Sequence, residues 1–102
     1  AGAPTHEKVV LRWAPSHVFW PEDALLLASP DPHLCFENLH RYPGFQGQLL
    51  VHVWPGGALK VASAKCAQVV DTLLEALRSM FPAAAAGPSG LPLPQQSFVT
   101  GW

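Results

Sequence analysis

Five histidines (His6, His17, His33, His40 and His52), seven carboxylates and two cysteines (Cys35 and Cys66) are the side chains of this 102-residue chain that could carry a proton, hold a metal or act as a nucleophile. Their spacing selects none of these chemistries. The nearest approach to a metal motif is "HLCFENLH", with His33, Cys35 and His40. Structural zinc sites use four ligands in paired, closely spaced sets, and three ligands strewn through a turn-rich stretch do not make one. A cysteine nucleophile with a histidine base can be written for either thiol. Cys66, however, falls on the apolar side of a helical repeat, where a thiol packs as a small hydrophobe. There is no nucleophile elbow, no HExxH, no P-loop and no glycine-rich dinucleotide turn. The expectation is a protein that is not an enzyme and has no metal or cofactor.

The elements that must position any functional side chain are legible from hydrophobic period. Residues 7–13, "EKVVLRW", alternate Val9, Leu11 and Trp13 with Lys8, Val10 and Arg12, the pattern of a half-buried strand. Pro21 with Glu22 and Asp23 predicts a short helix running to Ser29, because proline suits the first helical position and carboxylates suit the positive helix start. The next stretch, "PDPHLCFENLHRYPGFQG", is mostly turns around a short strand near 34–36. Over 48–54, Leu49, Val51 and Val53 share one side while Leu50, His52 and Trp54 share the other. A "PGG" turn then predicts a hairpin, with a second strand over 58–62. From 63 to 81, Cys66, Val69, Val70, Leu73, Leu74, Leu77, Met80 and Phe81 recur every three or four residues, which predicts a long amphipathic helix with Ser63 as N-cap and Pro82 as its stop.

Composition bounds the class. A chain of this length forms one core, and only 13% of it is charged against 49% hydrophobic, so its surface must leave apolar side chains for a partner. The net charge of -1 removes the global electrostatic term that drives nucleic-acid binding, and no basic cluster replaces it. Two cysteines do not make a secreted disulfide framework, and no apolar run reaches the roughly 18 residues of a membrane span. The chain therefore reads as a piece of an intracellular protein, cytoplasmic or nuclear. Residues 1–6 read as linker, 7–82 as one α+β domain, and 83–102 as a Pro/Ala/Gly-rich tail whose Phe98, Val99 and Trp102 could dock.

The order "YPGF", "LLVHVWPGGALKVASAK" and an amphipathic helix resembles one repeat of the TATA-binding-protein domain, through Tyr42, Pro43, Gly44, Leu49, Leu50, Gly56, Ala64 and Lys65. The resemblance covers about 40 residues and implies a strand, a glycine turn, a second strand and a long helix in that order. A nucleic-acid-associated domain is the function it implies. The basic residues that meet phosphates and the phenylalanine pairs that wedge between bases are missing here.

The fold expected is α+β: an antiparallel sheet of about four strands, a long C-terminal helix on one face and a short helix near the N-terminus. The function expected is a non-enzymatic protein–protein interaction module, or a subunit of a larger complex, that binds another protein or a second copy of itself. Its interface residues would be Trp20, Leu50, His52, Trp54, Phe98 and Trp102, with no membrane and no nucleic acid as partner. The alternatives are a nucleic-acid-associated domain of TATA-binding-protein-like shape and a small thiol- or metal-dependent enzyme fragment.

Overall fold

The structure is a computed structural model that describes residues 6–57, 59–61 and 64–100. Five strands, β1 (Glu7–Arg12), β2 (Leu26–Leu27), β3 (Leu34–Asn38), β4 (Gln48–Val53) and β5 (Gln96–Thr100), form one sheet in the order β2-β3-β4-β1-β5. Every neighbouring pair is antiparallel. Helix α1 (Cys66–Met80) and a single-turn helix α2 (Pro82–Ala85) precede β5. The α+β class therefore holds, with five strands rather than about four and with a helix of 15 residues that is followed by a strand.

Alternation along the strands separates two sheet faces. Val9, Leu11, Phe36, Leu49 and Val51 are wholly buried on one side. Val69, Leu73, Leu74 and Leu77 of α1 join them in one core. Burying four such helix side chains contributes on the order of 6–12 kcal/mol before the entropy of ordering them is subtracted. Helix α1 begins with the Gln68 side chain accepting a hydrogen bond from the Lys65 backbone N–H at 3.0 Å. The helix ends at Phe81, whose backbone is pushed out of the helical region by the proline that follows (φ -127°, ψ 66°). Pro82 stops α1 and then opens α2, as suits a residue with no N–H to satisfy. The expected N-cap, Ser63, lies outside the described residues.

Two expected elements are absent. Leu59, Lys60 and Val61 form no strand, because β4 is already paired on both sides, by β1 and by β3, and has no free ladder to offer. The second strand implied by the resemblance to a TATA-binding-protein repeat is therefore missing over these residues. The short helix near the N-terminus is also not formed. Ala24 N–H bonds back to the Pro21 carbonyl in one turn, and Leu26–Leu27 then pairs with Phe36 and Glu37 as β2. Before the sheet's second strand the chain makes a 3-10 turn at Pro15–His17.

The carbonyls a helix would need after Pro21 are used elsewhere. Asn38, wholly buried at the end of β3, donates its amide to the carbonyls of Ala24 at 2.8 Å and Glu22 at 2.9 Å. Its oxygen accepts the Trp20 indole N–H at 2.8 Å and the His40 backbone N–H at 3.1 Å. One amide thus ties the 20–24 turn to the sheet. Trp20 is consequently a core residue, 3% exposed, and is removed from the interface set. It packs edge-on against Trp13 and Phe19, and Phe19 in turn meets Phe81.

The tail is held within the same chain. The Trp13 indole N–H donates to the Pro92 carbonyl at 2.8 Å, Leu91 is buried, and Gln95 N–H donates to the Arg12 carbonyl at 2.7 Å. Strand β5 then completes the sheet along β1. Gly47 closes the turn before β4 with a positive φ of 76°, and a side chain there would collide with the Trp13 carbonyl oxygen.

Candidate functional site

The sheet face turned away from α1 carries the candidate site. Cross-strand pairing aligns Phe98, Val10, Leu50, Glu37 and Leu26 in one row over all five strands. At the usual strand spacing the row spans about 19 Å. Leu26 is 58% exposed and Phe98 51%, while Val10 and Leu50 are half-buried. Four of the five side chains are apolar, and they lie on the face opposite the one that α1 covers.

Beside this row lies a polar and aromatic cluster. His52 of β4 and Trp54, the residue just after its end, hold their rings nearly parallel with centroids 6.5 Å apart. His6, just before β1, lies over both, with its ring centroid 4.0 Å from Trp54 and 4.9 Å from His52. His52 Nε2 donates to Glu37 Oε1 at 3.0 Å. A carboxylate only accepts, so this nitrogen keeps its proton; across the 2.8 Å bridge a neutral His52 accepts at Nδ1 from the His6 Nε2–H, and a protonated His52 donates from Nδ1 to His6 Nε2. Burial lowers the pKa of His6, and the positive charges of His52 and Lys8 lower it further. Trp54 remains 43% exposed beneath this arrangement.

Carboxylate, imidazole and imidazole in series resemble a proton relay, and neither described thiol hydrogen-bonds to it. Cys35 stands opposite His52 in the β3–β4 ladder. Both nitrogens of His52 are engaged by His6 and Glu37, so neither accepts the thiol proton. Cys66 is exposed, contrary to its expected place in the core, and its sulfur lies 3.7 Å from the Ser97 hydroxyl. The helix starts at Cys66 itself, so the thiol sits on the first turn, outside the buried stripe that begins at Val69. The "HLCFENLH" side chains do not converge: His33 meets Asp31, and His40 bonds Glu22 and the Gly47 N–H. Among the described residues, no group of three or more histidine, cysteine, aspartate or glutamate side chains is placed to share a metal ion.

Of the six residues expected at an interface, the structure brings Leu50, His52, Trp54 and Phe98 onto one face. Trp20 is in the core, and Trp102 lies outside the described residues. The sequence reading missed His6, Glu37, Val10 and Leu26. Val10 and Glu37 could have been found from alternation within their strands, but their adjacency depends on pairings between distant segments. His6 and His52 are 46 positions apart, and no spacing rule joins them.

Comparison with protein-family models, with curated proteins and with solved structures finds no match for the chain. Among the described residues, no helix is long and apolar enough to cross a membrane.

Proposed function

We propose that this chain is a non-enzymatic interaction module, or a subunit of a larger intracellular complex, that binds a partner protein or a second copy of itself through the open face of its sheet. The observation that carries this reading is the row Phe98, Val10, Leu50 and Leu26, with exposed Trp54 beside it, on a face left bare while the opposite face is fully packed. Contiguous apolar surface of this kind favours association, and an aromatic side chain at its margin is a common anchor. Lys8, Arg12 and Glu37 give the face charges of both signs, which suits a protein partner better than a phosphate backbone. The reading also covers location in the cytoplasm or nucleus, which fits two cysteines that form no disulfide.

The test replaces Leu50→Lys together with Phe98→Glu and follows association by light scattering and by cross-linking to co-purifying protein. Both side chains leave the helix-covered core untouched, so the thermal midpoint should stay within a few degrees. Association of wild type that disappears in the double variant supports the face. Association that survives unchanged removes it.

A further inference from the structure

We propose that His6, His52 and Glu37, together with the Trp54 ring, form a proton-operated clasp that holds His6, the residue just before β1, on the open face while the two imidazoles carry at most one positive charge, and releases it when they carry two. Two imidazoles have four nitrogens, and the N···N bridge of 2.8 Å between His6 Nε2 and His52 Nδ1 has room for one proton. The bridged pair therefore holds at most three protons, a net charge of +1. A fourth proton sets one N–H against another, and the bridge cannot persist.

The surroundings match a pair that carries one charge but not two. Glu37 on β3 faces His52 and balances the first. Lys8 on β1, paired opposite His52 in the ladder, adds a positive charge nearby and opposes the second. On the third side, Cys35 of β3 stands opposite His52. The chain past Trp54 returns to the His33 carbonyl, and the His33 ring is paired with Asp31, so the next ionic pair along this edge is already matched. His6 is thus the group on which the second proton must land.

The sign of the pH effect follows. The pKa of His6 is lowered when it is clasped and returns to the usual imidazole value of about 6.5 when released. Above that value both states are neutral at His6 and the clasp has its full stability. As the pH falls below about 6.5 the released state binds a proton that the clasped state resists, and clasping weakens. Release would bare His52 and Trp54 beside the apolar row. Only this consequence for partner binding rests on the function proposed above; the clasp itself does not.

The experiment is an NMR titration of the full chain from pH 8 to pH 5, following the histidine ring signals and the Trp54 indole N–H. Wild type is expected to show His6 titrating below 6.5, with the Trp54 indole moving at the same midpoint. His6→Ala should abolish the Trp54 transition while the amide signals of the strands remain in place. Glu37→Gln, which removes the carboxylate that favours positive charge on the pair, should shift release to lower pH. A His6 that titrates at 6.5 or above, or a Trp54 transition that persists in His6→Ala, overturns the proposal. Because no partner is present in the tube, failure here leaves the binding face standing, and failure of the binding test leaves the clasp standing.

Discussion

Replacing Asn38 by leucine isolates the polar tie between the 20–24 turn and the sheet. The two side chains are similar in size, so the change removes hydrogen bonds with little change in volume. Lost are an acceptor for the Trp20 indole N–H at 2.8 Å and donors to the Glu22 and Ala24 carbonyls at 2.9 and 2.8 Å. Trp20 is buried, so its N–H finds no water in exchange. A buried group left without a partner costs about 1–3 kcal/mol. Counting one loss for Trp20 and one for the two carbonyls together, because Glu22 is exposed and Ala24 only half-buried so that water replaces part of what they lose, less about 1 kcal/mol returned by burying the apolar leucine, leaves a net loss of about 3 kcal/mol. For a domain of this size that lowers the thermal midpoint by about 12–20 °C, a large share of a typical total stability of about 5–15 kcal/mol. Denaturant and thermal unfolding measure it directly. Asn38→Asp gives a second reading: it keeps the oxygen that accepts from Trp20 but turns an oxygen toward the two carbonyls. Its carboxyl must stay protonated to donate, so the stability of that variant should rise as pH falls. A loss below about 1 kcal/mol in Asn38→Leu, or an Asn38→Asp protein that is most stable at neutral pH, would mean that the amide does not tie the turn to the sheet.

Other outcomes follow from the same structure. Gly47→Ala should cost about 2 kcal/mol or more, since the new methyl group meets the Trp13 carbonyl oxygen and the backbone φ of 76° is unfavourable for any side chain; urea unfolding reads the loss, and a neutral result would contradict the turn geometry. Ending the chain after Pro82 should destabilise the domain rather than merely free a tail, because it removes β5 and the Pro92 carbonyl that the Trp13 indole bonds; a truncated protein with an unchanged thermal midpoint would show that β5 contributes nothing. Leu73→Ala, at a wholly buried position on α1, should cost about 2–5 kcal/mol in the same unfolding assay, and a loss under 1 kcal/mol would mean that the helix does not cover the sheet.

The elements that were legible in the sequence are those whose signal is local. Period two marked β1 and β4, and three-to-four spacing marked α1, since each pattern is set by which side of one element meets the core. The readings that failed were settled by distant partners. "WPEDALLLAS" has helix-start residues in the right order, but Asn38, 14 to 16 positions downstream, holds the carbonyls, and Phe36 and Glu37 recruit Leu26 and Leu27 into a ladder. "PGG" has the residues of a hairpin turn, but β1 occupies the ladder that a returning strand would need. Tail residues of unpromising composition become a strand because β1 offers an unpaired side and Trp13 fixes the approach. Half of the candidate face was visible for the same reason: Leu50, His52 and Trp54 alternate along β4 and the residue that follows it, whereas His6, Glu37 and Val10 reach them only through the sheet order.

That order has a consequence for the birth of the chain. Of the five strands of this sheet β1 is synthesised first, yet its two neighbours are β4 and β5, with Lys8 finally paired to Thr100. At synthesis rates of about 5–20 residues per second, β1 waits several seconds with both sides bare, then with one, until the final segment arrives. During that interval an apolar strand, "KVVLR", is open to any extended chain nearby. Closure of the sheet by β5 therefore serves as a completion step, and a nascent chain that stalls or terminates before residue 96 retains an unsatisfied edge at the very strand around which the domain is organised.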